Sequence, residues 1–264
     1  MALLQLDNLQ IEFPMANGKI FSAVDGISFE MDVGESLAFV GESGSGKSLT
    51  SLAITKLLPE HAVVRGSIIF QGENIFSLKE SQLRRTRGGE ICYVFQESMG
   101  CLNPLLTIGF QLRESIQLHR KNCSRRSANV IALQHLRRIN FADPEKVLRS
   151  YPHQLSGGML QRVAIAMAIC NGPKLLIADE PTAALDSHSQ RVVLNLLAQL
   201  RALYGFSLLI ITHNLGVAME MAERVAVMHR GRIVEIGQCR EVFSRPAHGH
   251  TCRLIQSIPR LPRG

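Results

Sequence analysis

Apolar and polar residues alternate from Leu4 to Phe13, with Leu4, Leu6, Leu9, Ile11 and Phe13 apolar, and again from Phe21 to Met31, with Gly18 in the turn between. Alternation at a period of two predicts half-buried antiparallel strands. The pattern then changes. Ser36–Val40 is a short apolar run, which suits a strand buried on both faces, and Leu49 to Leu58 has helical spacing. Ser67–Phe70 predicts a short strand ended by Gln71-Gly72, residues 78–88 a basic helix, and Ile91–Phe95 a further strand that delivers Gln96 at its end. From about Thr107 to Ile169 the period is helical, broken at Pro144 and Pro152. Strands are then predicted at Leu175–Ala178, Ser207–Ile211, Val225–Met228 and Ile233–Ile236, with helices at Ser187–Leu203 and Leu215–Glu223 between them. Residues 244–264 hold three prolines and predict an extended or weakly helical tail.

Alternating strands and helices imply a mainly parallel sheet covered on both faces, hence an α/β fold. The helical block falls between two β-α segments and reads as an insertion. The expected organisation is one domain over 1–264: a core of 1–96 and 170–243 that includes the N-terminal antiparallel β subdomain, an inserted helical subdomain at 97–169, and a tail at 244–264.

Between the strand at 36–40 and the helix that follows lies Gly41-Glu42-Ser43-Gly44-Ser45-Gly46-Lys47-Ser48, which reads G-x-x-x-x-G-K-S. Glycines let successive backbone N–H groups curl around one anion, and the helix N-terminus adds a favourable partial charge. In such a loop Lys47 reaches the β- and γ-phosphates of a nucleotide and the Ser48 hydroxyl ligates Mg²⁺. A second motif is the apolar strand Leu175–Ala178, which ends in Asp179-Glu180. Adjacent carboxylates at a strand's end can divide the work, Asp179 serving the metal and Glu180 the attacking water. A third is Leu155-Ser156-Gly157-Gly158-Met159-Leu160-Gln161-Arg162, where a serine and two glycines open the apolar helix Val163–Ile169 and build a second anion-binding N-terminus. Two such ends more than a hundred residues apart make sense if the loop of one chain faces the Ser-Gly-Gly end of another.

Composition narrows the picture modestly. The 264 residues are 46% apolar and 19% charged, ordinary for a globular protein, and the net charge of +7 suits nucleic acid, an anionic surface or polyphosphates without choosing among them. The densest basic cluster, Arg120 to Arg126, reads as a solvated loop and helix start. Six scattered cysteines form no C-x-x-C pair, which argues against zinc and iron–sulfur sites and for a reducing compartment. The N-terminus lacks the pattern of a signal peptide, and no apolar run approaches the ~18 residues of a spanning helix, so membrane contact is expected only through partners.

The Leu155-Ser156-Gly157-Gly158 stretch resembles the signature of ATP-binding cassette (ABC) ATPases, and the resemblance covers nearly the whole chain. It implies a P-loop ABC ATPase fold that dimerises head to tail around two ATP molecules, with Mg²⁺. It implies nucleotide contacts from residues 41–48 and Leu49, and from Ser156, Gly157, Gly158 and Gln161 of the opposing chain. Gln96 is similar to the family's Q-loop glutamine, which senses Mg²⁺ and water and lies near the membrane partner. Ala184-Leu185-Asp186 resembles the D-loop, Thr212-His213 the switch histidine that reaches the γ-phosphate, and Phe13 the aromatic that stacks on adenine, with Phe21 its rival.

Within the family the chain resembles the ATPases of oligopeptide, dipeptide and nickel importers. The likenesses are Ala23–Phe29, the loop at 41–48, Leu102-Asn103-Pro104, Tyr151–Leu155, Ile177–Thr182 and the tail His248–Ile255. The chain departs from many relatives in reading Gln96-Glu97-Ser98 for Q-D-P and Thr212-His213-Asn214 for T-H-D, and in stopping before a cysteine-bearing extension. The implied function is ATP hydrolysis powering uptake of a small solute, a di- or oligopeptide or alternatively nickel. The implied setting is the cytoplasmic face of the inner membrane. The implied partners are integral-membrane permeases, a second ABC ATPase and, indirectly, an extracytoplasmic solute-binding protein, with no nucleic acid. A DNA-repair or chromosome ATPase is the reading from another class. It calls for coiled coils or zinc modules between the motifs, and the block between 96 and 155 carries neither heptads nor C-x-x-C.

Overall fold

The computed structural model describes residues 2–96, 100–183 and 185–257. In chain order these form β1 (Ala2–Pro14), β2 (Ile20–Asp32), β3 (Ser36–Val40), α1 (Lys47–Ile54), β4 (Val63–Phe70), β5 (Glu73–Asn74), α2 (Glu80–Thr86) and β6 (Ile91–Val94). There follow α3 (Ile108–His119), α4 (Arg125–Arg138), α5 (Pro144–Arg149), α6 (Gly157–Ile169), β7 (Leu175–Asp179), α7 (Ser187–Tyr204) and β8 (Ser207–Thr212). The described chain closes with α8 (Leu215–Met221), β9 (Arg224–His229), β10 (Arg232–Gln238), α9 (Cys239–Ser244) and α10 (Gly249–Gln256). It packs as two compact units, Met1–Leu83 with Ser207–Gly264, and Arg84–Phe206.

The first unit holds two sets of strands. β1 and β2 pair as an antiparallel hairpin with Phe13 opposite Phe21, and β1 pairs with β4 on its other edge. The break in alternation between Leu6 and Leu9 is a bulge, where Asn8 takes a φ of +46° and donates its N–H to Ser28 Oγ at 2.8 Å. Bulges of this kind absorb an extra residue and return Leu9 and Ile11 to the buried face. In the other set β3 lies between β8 and β9, parallel to both, and β10 runs antiparallel along β9. Every residue of β3 and of β8 is buried, which is why both read as continuous apolar runs rather than alternating ones. The registers Val40 with Thr212 and Val40 with Val227 bring three strand ends together on one side of the sheet.

In the second unit β6 and β7 pair in parallel, Ile91 with Leu175 through Val94 with Ala178. The helical block resolves into α3, α4 and α5, each started by a side-chain cap: Thr107 accepts from the N–H of Phe110, Ser124 from Ser127 and Asp143 from Lys146. Pro144 sits in the first turn of α5, where its missing N–H costs nothing. Arg120 to Arg126 is a solvated loop and helix start, half-buried only at Cys123.

The tail, expected from 244 onward to be extended or weakly helical, is helical over Gly249–Gln256 in α10, which follows α9. Of the three prolines only Pro246 lies within the described residues, just ahead of α10, where proline interrupts no helical hydrogen bond. The Glu235 carboxylate accepts from the N–H groups of Ala247 (2.9 Å) and His248 (3.1 Å), and His248 Nδ1 caps α10 by accepting from the N–H of His250 (3.1 Å).

Candidate functional site

The loop of residues 41–46 leaves β3 and turns directly into α1. Its shape depends on two glycines. A Cβ on Gly41 would lie 2.2 Å from the Met228 carbonyl, and one on Gly46, at φ +100°, would lie 2.7 Å from the Ala23 carbonyl. The turn between β9 and β10 braces the loop, with Gly231 N–H donating to Ser45 O (3.1 Å) and Asp25 N–H to Gly231 O (2.8 Å). α1 starts at Gly46 without a side-chain cap, the kind of helix start that an external anion can satisfy. The Lys47 side chain is buried in the loop's concavity and donates to Gly41 O (2.8 Å), Glu42 O (2.8 Å) and Ser45 Oγ (3.3 Å). Glu42, Ser43, Gly44 and Ser48 are exposed and Leu49 is half-buried. A buried ammonium behind an uncapped helix start, ringed by backbone, is a cradle for a polyphosphate.

His213 follows β8 and is exposed, at the same sheet end as Gly41 because Val40 pairs with Thr212. Asn214, which departs from the family's aspartate, caps α8 by accepting from the N–H groups of Gly216 (2.9 Å) and Val217 (3.3 Å). Its own N–H donates to Thr212 Oγ1 at 3.0 Å, so the segment carrying His213 is held on both sides. Phe13 is half-buried with its ring 5.4 Å from that of His61, and its cross-strand partner Phe21 is exposed.

In the second unit Asp179 ends β7, only 7% exposed, and its Oδ2 accepts from the Tyr93 hydroxyl at 2.9 Å. The register explains the contact. Tyr93 pairs with Ile177, so Asp179, two residues on, shares its face of the sheet. Glu180 takes a φ of +46°, a conformation that turns its side chain away from the line of the strand, and its carbonyl accepts from Ala183 N–H at 3.0 Å. Gln96 is exposed in a bend just past β6. Glu97 and Ser98, which follow it, lie outside the described residues, as does Ala184 of the D-loop triplet.

Ser156 caps α6, its Oγ accepting from Met159 N–H at 3.3 Å, and Ser156 and Gly157 are exposed. A Cβ on Gly158 would lie 3.2 Å from Ser189 Oγ, so this glycine lets α6 approach the start of α7. That start is capped by Asp186, whose carboxylate accepts from His188 N–H (3.0 Å), Ser189 N–H (2.9 Å) and Ser189 Oγ (2.6 Å). The hydrogen bonds from Ser189 hold the Asp186 carboxyl below the usual range, so it is a carboxylate at neutral pH. Ser156, Gly158, Arg162, His188 and Ser189 line a shallow cleft. Gln161, on the same helix, is buried, its Nε2 without a hydrogen-bond partner among the described residues. Tyr93 and Ser189 were not singled out from the sequence. Tyr93 carries a signal, a hydroxyl in the otherwise apolar run 91–95, and Ser189 carries one in its spacing of three from Asp186.

A glycine loop with a buried lysine between strand and helix, in an α/β fold, defines a P-loop nucleotide hydrolase. Residues 24–183 match the family model described as ABC transporter. The probable peptide ABC transporter ATP-binding protein y4tR of Sinorhizobium fredii is 44% identical over 264 residues, which cover 99% of this chain and 78% of that protein. The oligopeptide transport ATP-binding protein OppD of Bacillus subtilis is 44% identical over 261 residues, covering 98% of this chain and 72% of that protein. A dimeric ATP-binding cassette solved in a post-hydrolysis state with ADP and Pi superposes with a TM-score of 0.80 at 29% identity, covering 90% of this chain and 99% of that one. The chain belongs to the ABC transporter family, and it is an ATP-binding, ATP-hydrolysing member of it. Among the described residues no helix is long and apolar enough to cross a membrane.

Proposed function

We propose that this chain is the ATPase subunit of an importer for di- or oligopeptides, working as a head-to-tail pair with a second ABC ATPase beneath integral-membrane permeases. The observation that carries the reading is the uncapped start of α1 behind the buried Lys47, together with the roles in peptide transport that its relatives' names give them. In this reading the core (1–96 and 170–243) binds nucleotide, the helical insertion (97–169) carries the signature, and the tail follows from 244. The pair sits at the cytoplasmic face of the cell membrane, and an extracytoplasmic binding protein supplies the solute.

Lys47 and the N–H groups of 41–49 hold the triphosphate, and Phe13 stacks on the adenine. The oxygen donors Ser48 and Asp179, with Gln96, suit Mg²⁺, which takes oxygen ligands in octahedral geometry. When bound, the ion supplies Lewis-acid polarisation of the phosphoryl oxygens. Tyr93 holds the Asp179 carboxylate in place by donating to Oδ2. Glu180, turned out of the strand, orients the attacking water, and His213 donates toward the γ-phosphate as charge develops there. Ser156, Gly157 and Gly158, with Gln161 on the same helix and Asp186 alongside, complete the site of the opposing chain.

Permeases and any second ATPase captured with this chain from solubilised membranes, then reconstituted in vesicles, test the reading. ATP turnover should rise several-fold when a peptide-loaded binding protein is present. Stimulation by nickel and not by peptide would support a metal importer instead, and stimulation by DNA would overturn the transport reading.

A further inference from the structure

The side chains of Glu42, His229 and His250, none of which has been given a role toward the nucleotide, converge at one point. β3 and β9 run parallel with Val40 opposite Val227, so Glu42 and His229 each lie two residues beyond the paired positions, at the same sheet end. His250, in the first turn of α10, is carried there by the caps that fix the tail: Glu235 on Ala247 and His248, and His248 on His250. The rings of His229 and His250 lie with centroids 3.8 Å apart. One ligand atom from each of the three side chains falls within 4.8 Å of the other two. His250 is 2% exposed, and its Nε2 has no hydrogen-bond partner among the described residues. Burying an imidazole nitrogen in this way costs free energy unless something satisfies it.

We propose that Glu42, His229 and His250 bind a divalent transition-metal ion of the zinc, nickel and cobalt class, and that the ion ties α10 to the phosphate loop. Two imidazoles and a carboxylate are borderline ligands that favour such ions over Mg²⁺, which takes oxygen donors. Metal–nitrogen and metal–oxygen bonds of about 2.0–2.2 Å place ligands roughly 3.3–3.5 Å apart in a tetrahedron. Small side-chain rotations of the exposed Glu42 and half-buried His229 bring the three atoms to that spacing. Glu42 also belongs to the loop by its main chain, its carbonyl accepting from Lys47 Nζ at 2.8 Å. An ion on its carboxylate therefore restrains the loop that holds the triphosphate, and by linkage ion and nucleotide alter one another's affinity equally.

The test uses the full-length, untagged chain, stripped with chelator and kept free of nucleotide, with excess Mg²⁺ present to occupy weak oxygen sites. Calorimetric titration with Zn²⁺ should show one ion per chain, and Co²⁺ should give the visible absorption of a tetrahedral nitrogen–oxygen site. His229→Asn, His250→Asn and Glu42→Gln should each weaken Zn²⁺ binding by roughly tenfold or more, while His153→Asn, at an exposed histidine elsewhere, should not. Should His250→Asn fail to fold, His229→Asn decides alone, since His229 is half-buried at a strand end. Absence of stoichiometric binding, or unweakened binding in His229→Asn, overturns the proposal. Neither outcome bears on ATP hydrolysis, because no nucleotide enters the assay.

Discussion

At the scale of single residues, the site depends on polar groups buried among apolar neighbours and held by specific donors or acceptors. Lys47 is the clearest case, a buried ammonium satisfied by two carbonyls and a hydroxyl. Replacing Lys47 by Ala removes the charge-assisted bonds to phosphate, and ATP affinity should fall by roughly 10²-fold. Unchanged binding in a nucleotide titration, with the melting profile retained, would dismiss the phosphate-loop role. Glu180→Gln keeps the shape and removes the carboxylate, so ATP should still bind and hold a long-lived closed dimer. Turnover should drop by roughly 10²–10⁴, or about 3–5 kcal/mol of barrier. Near-normal hydrolysis would assign the water to another group. Tyr93→Phe deletes only the donor to Asp179, an interaction of a charged acceptor worth about 1.5–3 kcal/mol. Because Asp179 then loses its fixed orientation, the Mg²⁺ concentration for half-maximal turnover should rise several-fold with ATP affinity nearly unchanged. A general loss of stability with no shift in Mg²⁺ dependence would make Tyr93 merely structural.

Among elements, helix starts recur as the working parts, and they divide by how they are capped. α3, α4, α5, α6, α7 and α8 each carry a side-chain acceptor at the N-cap, whereas α1 and the short α9 have none. What distinguishes α1 is that its uncapped start adjoins the glycine loop and the buried Lys47, where an anion can satisfy it. The Ser156 cap on α6 is exposed and serves, in our reading, the nucleotide of the opposing chain. Ser156→Arg costs about 1 kcal/mol through the lost cap and places a bulky cation at the facing surface. ATP binding by the isolated variant should stay within a few-fold of the parent. In a mixed pair of one variant and one unaltered chain, nucleotide trapping should be lost at the site whose phosphate loop belongs to the unaltered chain. Loss at the variant's own loop would show that the pairing is not head to tail. Helix α4 carries a different device. His135 is buried on its inner face, and burial, then Arg138 and Arg120, lowers its pKa to about 4. The folded state keeps this ring neutral where the unfolded chain, titrating near 6.5, takes up a proton. Its contribution to stability is thus present above pH 6.5 and lost progressively as pH falls toward 4, up to about 3 kcal/mol. Urea unfolding midpoints should fall less across that window in His135→Gln than in the parent, and parallel curves would exclude the ring as the cause.

For the whole molecule, the kinds of element and their order were legible in the amino-acid pattern, because burial on one face, on both faces or on a stripe leaves different periods. The strands at β3, β7 and β8 and the long helix α7 lie within a residue or two of where the pattern places them, and the helix expected over Val163–Ile169 begins earlier, at Gly157. The phosphate loop was legible for a similar reason, since backbone curling around an anion demands glycines at set positions and a lysine beside them. The tail was legible only as extended or weakly helical. Its helix α10 depends on Glu235, which holds Ala247 and His248 from twelve and thirteen residues back along the chain, and on the burial of Thr251 and His250, which no local pattern records. Nor was the contact of Tyr93 with Asp179 legible, being created by strand register, or the grouping of Glu42 and His229, set by register, with His250 carried to them on α10. The amino-acid sequence alone determined where the glycine-rich, lysine-bearing loop sits and which stretches are strand or helix, because those follow from local backbone geometry and the periodicity of burial. Only the tertiary structure decided which distant side chains meet, because parallel pairing brings together residues far apart in the chain, and nothing short of the folded register says which.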